Sequence, residues 1–216
     1  MEILSIKINA VCFDMDGTLV RNTDSVKYLC ELSGHMDAFD KINRVKSQGK
    51  ISWIEADHLK AKLIEGLDLT RVESEFEGYI HLIQNIEPVL TNLKERRIRT
   101  VLITAGPVQV ARVLEKRFGF DSAFGSQYED NGTKFTGRIV HHLGSSGKLI
   151  CLRNFCLDNN LSLENCAAVG DSESDIDIFR ACGKSIAINS SRAAAEAASK
   201  SIITDDLVDI LAFLQD

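Results

Sequence analysis

None of the six cysteines (Cys12, Cys30, Cys151, Cys156, Cys166, Cys182) forms a Cys-x-x-Cys pair with another. That argues against a zinc site. Several fall in apolar segments and read as small buried hydrophobes, and a chain of this length needs no disulfide scaffold. This usage points to a reducing compartment, the cytoplasm. No apolar run approaches the ~18 residues of a membrane span. The N-terminus lacks the basic segment and long apolar stretch of a signal peptide. Positive charge is not in excess either. The formal net charge of −6 disfavours nucleic acid and anionic membrane surfaces as partners. A small anionic substrate stays compatible, because a local metal and a lysine reverse the sign within a pocket. There is no internal repeat and no low-complexity tract. What remains is a chain of 216 residues with 44% hydrophobic content, enough for one core, alone or with a smaller inserted domain.

The most informative stretch is Asp14-Met15-Asp16-Gly17-Thr18, after the apolar run Ile8–Phe13. The run reads as a buried strand over Lys7–Phe13. A strictly extended Asp-x-Asp places both carboxylates on one face, and Gly17 permits a sharp turn next. Unpaired carboxylates so close repel, and one pKa should rise unless a cation intervenes. The arrangement suits a Mg²⁺ site with an attacking carboxylate, and equally an Asx-turn closing a strand.

Apolar residues then recur at helical intervals over about Thr23–Asn85. Ser52 with Glu55 forms a capping-box pattern ahead of Trp53. An alternation of strands and helices resumes at Pro88. The predicted elements are helix to Arg97, strand Arg99–Ile103, helix Pro107–Phe118 ending at Gly119, and a short strand Phe120–Gly125. A hairpin follows over Tyr128–Val140 around Asn131-Gly132, then helix Lys148–Leu157 and strand Ala167–Val169. Helix Ile176–Ala181, strand Ser185–Ile188, helix Ala193–Ser199, strand Ser201–Thr204 and helix Asp206–Leu214 complete the series. This rhythm implies an α/β fold, a parallel sheet covered on both faces with ligands bound beyond the carboxyl ends of the strands.

Three further polar features stand at predicted strand ends. Thr104-Ala105-Gly106-Pro107 precedes a helix whose free N–H groups would face an anion, or merely caps that helix. Lys148 is expected in the first turn of a helix capped by Ser145 or Ser146, where a cation opposes the dipole. A nearby anion or simple solvation accounts for it. Gly170-Asp171-x-x-x-Asp175 supplies carboxylates for a hard cation or caps the following helix.

Taken together, in this order and spacing, these features resemble the haloacid dehalogenase superfamily of phosphatases over essentially the whole chain. Asp14-x-Asp16-Gly17-Thr18-Leu19 is similar to its first motif, Thr104 to its second, Lys148 to its third and Gly170-Asp171-x-x-x-Asp175 to its fourth. Tyr128–Gly137 resembles the hairpin of phosphoserine-phosphatase-like members. The resemblance implies a Rossmann-like doubly wound core, residues 1–20 and 86–216, with an inserted helical type-1 cap over 21–85.

The resemblance also implies the chemistry. Asp14 is the expected nucleophile, forming an aspartyl-phosphate, and Asp16 the acid and base. Thr104, the Ala105 N–H and Lys148 hold phosphate oxygens. Asp14, the backbone carbonyl of Asp16, and Asp171 hold Mg²⁺, with Asp175 orienting the metal shell. The implied activity is Mg²⁺-dependent hydrolysis of a small phosphorylated metabolite, with phosphoserine a candidate, by a monomer or homodimer. A phosphotransferase, a phospho-accepting signalling module or a non-catalytic binding protein are the alternatives. Where phosphoserine phosphatases place a cap glutamate, this chain has Thr23 beside Asp24. Where they place an arginine it has Lys60, and Ser174 replaces the common asparagine. His35, His58, His81 and the pair His141-His142 show no ligand spacing, and Trp53 reads as packing. Lys94-Glu95-Arg96-Arg97 reads as a solvated helix face.

Overall fold

A computed structural model describes residues 6–214. Seven strands form one sheet: β1 (Ala10–Phe13), β2 (Arg99–Pro107), β3 (Ser122–Asp130), β4 (Phe135–His141), β5 (Cys166–Gly170), β6 (Lys184–Ile188) and β7 (Lys200–Ile202). Their spatial order is β4-β3-β2-β1-β5-β6-β7. All neighbours are parallel except the β3–β4 hairpin. This is the Rossmann-like doubly wound core. The first strand is central, with β2 on one side and β5 on the other, so the strand order reverses there and opens a crevice at the carboxyl ends.

The central strands are apolar throughout because both faces are covered. Val11, Phe13, Leu102, Ala167 and Val169 point into one core. Ala10, Cys12, Val101, Ile103 and Ala168 point into the other. This is the two-residue alternation of a strand. The first face is packed by α6 (Ile86–Glu95) and α7 (Val108–Phe118), the second by α8 (Gly144–Asp158) and α9 (Ile176–Ala181). Short helix α10 (Arg192–Ala197) precedes β7, and the chain closes in a 3-10 helix, Leu207–Leu214.

Between β1 and α6 lie five helices: α1 (Ser25–Leu32), α2 (Met36–Ser47), α3 (Trp53–Ala61), α4 (Leu69–Ser74) and α5 (Phe76–Tyr79). Asp24 caps α1, and Ser52 with Glu55 closes the expected capping box on α3. Tyr28, Leu29, Ile64 and Phe76 from this insert join the same apolar cluster as Phe13. Among the described residues no helix is long and apolar enough to cross a membrane.

Five expectations need correction. The predicted strand Phe120–Gly125 and the first arm of the hairpin are one strand, β3. Its first half pairs with β2 and its second with β4, which bridges the gap that separated them in sequence. The hairpin turn is wider than Asn131-Gly132 alone, and the Asn131 side chain accepts from the N–H groups of Thr133 and Lys134. Strand β2 runs on to Pro107 through an irregular register against β3, so α7 begins at Val108. Helix α8 begins at Gly144 with no side-chain cap, which places Ser145 and Ser146 inside the helix. Lys148 is therefore its fifth residue, in the second turn, and the dipole penalty of a first-turn cation does not apply. The last helix is 3-10 rather than α.

Candidate active site

The register assembles the site. Phe13 pairs with Leu102 on one side and Val169 on the other, so Asp14 leaves β1 level with Ile103 and Gly170. Its N–H donates to the Val169 carbonyl at 2.8 Å. The Asp14 carboxylate is 5% exposed, and Lys148 Nζ donates to Oδ1 at 2.6 Å. The same ammonium reaches Asp175 Oδ1 at 2.7 Å, and Lys148 is itself 1% exposed. Burial alone would lower the Lys148 pKa, but the carboxylates of Asp14 and Asp175 reverse the effect and raise it. Asp14 moves the other way from an ordinary carboxyl. Burial and then Asp175 push it up to about 6, against the pull of Lys148.

Asp175 Oδ2 accepts the N–H groups of Asp171 and Ser172, at 3.2 and 3.1 Å. These bonds fold the loop after β5 so that Asp171 faces Asp14. Oxygens of Asp14, Asp171 and Asp175 lie within 4.8 Å of one another. Burial, then the Asp14 and Asp175 charges, push Asp171 up to about 9. Gly17, at φ +84°, lies against the Asp171 carboxylate, where a Cβ would overlap it. Asp175, expected to orient the metal shell, also places an oxygen in this acidic cluster.

β1 stops at Phe13, and the turn expected at Gly17 follows Asp16. The Asp16 carboxylate faces the helical insert. The N–H of Ser25 donates to one of its oxygens at 2.8 Å, and the Ser25 hydroxyl to the other at 2.5 Å. Burial, then the Asp24 carboxylate, push Asp16 up to about 8. Thus both members of the pair rise, not one.

Thr104 is buried, and its hydroxyl oxygen accepts the Gly106 N–H at 2.9 Å. Gly106 is pressed against Ser25 and Asp16, and a side chain there would displace them. The Ala105 carbonyl accepts from the Ser126 hydroxyl at 2.6 Å, and that hydroxyl accepts the Leu143 N–H at 3.1 Å. Ser126 thereby ties the Thr104–Gly106 end of β2 to the start of α8. A cavity of about 350 Å³ opens beside this strand end, lined by Ala105, Ser145, Ser172, Glu173, Ser174 and, from the insert, Trp53.

Asp14, Lys148, Asp171 and Asp175 converge, with Asp16 and Thr104 around the same turn. The expected specificity residues are more dispersed. Thr23 is half-buried, its hydroxyl 3.4 Å from the Asp24 carbonyl oxygen, and Asp24 Oδ1 is engaged by the Lys27 N–H at 2.7 Å. Lys60 is buried, 3.6 Å from Asp57 and 4.8 Å from the centre of the Phe39 ring.

Four residues at this junction carried no functional signal in the sequence. Ser25 and Ser126 are ordinary serines until folding brings Asp16 and Ala105 to them. His142 looked like half of an uninformative pair, yet its Nε2 is 3.2 Å from Asp57 Oδ2. The Tyr128 hydroxyl is buried without a partner.

A family model described as haloacid dehalogenase-like hydrolase matches residues 11–180. The chain is 27% identical over 206 residues to a phosphoserine phosphatase of Archaeoglobus fulgidus, covering 95% of this chain but only 59% of that protein. It is 25% identical over 210 residues to a phosphoserine phosphatase of Methanocaldococcus jannaschii, covering 97% of this chain and 99% of that one. A solved phospho-aspartyl intermediate analogue of phosphoserine phosphatase matches with a TM-score of 0.82 at 25% identity, over 97% of this chain and all of the other. The chain belongs to the haloacid dehalogenase-like hydrolase family, and within it is similar to the phosphoserine phosphatases.

Proposed function

We propose that this chain is a Mg²⁺-dependent phosphomonoester hydrolase that works through an aspartyl-phosphate. The observation that carries this reading is the buried Asp14 carboxylate, gripped by Lys148 and faced by Asp171 and Asp175 at one sheet edge. Phosphate monoesters hydrolyse very slowly unaided, so a site must position a nucleophile and offset charge at phosphorus.

An Asp14 carboxylate oxygen attacks phosphorus in line, and the bond from phosphorus to the ester oxygen breaks. Asp16, protonated at neutral pH by its raised pKa, gives its proton to the departing alkoxide. Water then attacks phosphorus while Asp16 takes the water's proton. The Asp14–phosphorus bond breaks, releasing inorganic phosphate and restoring the carboxylate. Thr104, the Ala105 N–H and Lys148 hold the non-transferring oxygens. The donor set fits a hard divalent cation, being carboxylates alone, with Asp14 and Asp171 pushed up by burial and by neighbouring charge. Asp14, the Asp16 carbonyl and Asp171 would hold Mg²⁺, with Asp175 orienting the set. The ion would offset repulsion between the attacking carboxylate and the phosphoryl group.

In this reading residues 21–85 are a lid over a core of 1–20 and 86–216, and the substrate is a small phosphorylated metabolite. Phosphoserine is the leading candidate because the named relatives are phosphoserine phosphatases. Asp24 would meet its ammonium and Lys60 its carboxylate, with Thr23 at the margin. The deciding experiment is phosphate release from phosphoserine, sugar phosphates and nucleotides, with Mg²⁺ and then EDTA, with and without added alcohols. Release that stops on chelation and is not diverted to the alcohols supports the reading. Undiminished rates in EDTA, or a persistent phosphoprotein without release, overturn it.

A further inference from the structure

The segment His142–Gly144 joins three parts of the site. The Gly144 N–H, the first of α8, donates to His142 Nδ1 at 3.1 Å. With the Gly144 N–H as donor, Nδ1 accepts, which calls for the Nε2–H tautomer. That proton points at Asp57 Oδ2, 3.2 Å away on α3. The imidazole therefore does the work of the missing side-chain cap on α8 while gripping the lid helix. Trp53, one helical turn before Asp57, sets its ring edge-on to His142 with centroids 4.9 Å apart. His58 lies farther off, at 6.2 Å, and Lys60 stands 3.6 Å from the other oxygen of Asp57. The His142 side chain is 5% exposed, so water competes little for these bonds.

On the core side, α8 carries Lys148 one turn beyond Gly144. Leu143, between His142 and Gly144, donates to Ser126, which holds the Ala105 carbonyl. Both ring nitrogens are occupied, so His142 is not a free base for the reaction. It stands between the lid and the two elements assigned to the phosphate.

We propose that the Asp57–His142 hydrogen bond is the link through which a seated lid sets the position of Lys148 and the Thr104–Gly106 end of β2, with His142 a positioning residue. The proposal rests on the phosphatase reading above for its role in turnover, but the link itself acts on phosphate binding. The test uses the full chain with Mg²⁺ and orthovanadate, which requires no turnover, alongside kcat and KM for p-nitrophenyl phosphate. Asp57→Ala removes the acceptor, and Asp57→Asn retains one. His142→Asn keeps an acceptor oxygen near Gly144 but cannot reach the lid. Asp57→Ala and His142→Asn should weaken vanadate binding and lower kcat by about tenfold each, the range for lost supporting partners of a site. The double variant should lose no more than either single one, and Asp57→Asn should stay near wild type. The ¹⁵N spectrum of His142 should show the Nε2–H tautomer. Unchanged vanadate affinity in Asp57→Ala, equal losses in Asp57→Asn, or additive losses in the double variant would overturn the link. A wild type that binds vanadate normally but releases no phosphate counts against the hydrolase reading alone.

Discussion

Lys148 Nζ lies 2.6 Å from Asp14 Oδ1, although 134 residues separate the two in the chain. The ammonium is almost wholly buried and shared with Asp175, so one cation faces two buried carboxylates. Coulombic attraction and desolvation oppose each other in such a cluster.

Removing the cation tests both its roles. We expect Lys148→Met to lower kcat by roughly 10²–10³-fold, the range for losing one preorganised donor to a transition state. It should also destabilise the metal-free fold by about 3–5 kcal/mol, because two buried carboxylates lose their partner. Steady-state kinetics and urea unfolding in EDTA measure the two effects separately. A variant with normal kcat would remove Lys148 from the chemistry.

The nucleophile assignment stands on Asp14→Asn. With its carboxylate gone there is no aspartyl-phosphate to form, and turnover of every phosphomonoester should fall to background. Turnover close to wild type would mean that another group attacks phosphorus.

Stability of the metal-free protein should fall as pH rises. Asp14, Asp16 and Asp171 are pushed up from 3.8 to about 6, 8 and 9. A carboxyl with a raised folded value holds its proton more tightly in the folded state. Its contribution is complete below the unfolded value and is lost as pH climbs through the folded one. The window therefore runs from near pH 4 to near pH 9, about the span between those values. Thermal melts in EDTA should show a lower midpoint at about pH 8.5 than at about pH 6, and the gain from added Mg²⁺ should grow with pH. A midpoint that rises with pH under chelation contradicts the assignment.

Ser25 donates twice to Asp16, through its N–H and its hydroxyl. Its hydroxyl bond favours the ionised acid, so Ser25→Ala should raise the Asp16 pKa further. The alkaline limb of the kcat–pH profile should then move to higher pH. A shift to lower pH would show that Asp16 is not the group behind that limb.

Substrate choice is open to a direct comparison. If phosphoserine is the substrate, Asp24→Ala and Lys60→Ala should each raise its KM by about tenfold or more, the equivalent of one lost charge-assisted hydrogen bond. KM for p-nitrophenyl phosphate, which has neither ammonium nor carboxylate, should change little. Equal effects on both substrates would assign the two residues to folding of the lid.

Much of the fold was legible because its signals are local. Apolar strands, the Ser52–Glu55 capping box and Gly119 ending α7 depend on near neighbours, and helix Ile176–Ala181 is found at its expected bounds. The start of α8 was misread because Ser145 and Ser146 look like caps, whereas the actual partner of Gly144 is the His142 ring. Strand β3 was split because its halves pair with different strands, which no periodicity records.

The chain alone determined which residue types stand at which strand ends, since alternation, turn chemistry and motif spacing are written in consecutive residues. Only the tertiary structure decided their partners: that Asp175 shares Lys148 with Asp14, that Asp16 turns to Ser25, and that His142 grips Asp57. The physical reason is that parallel register and burial, set by the whole packed sheet, choose among the many donors and acceptors each polar group could otherwise find.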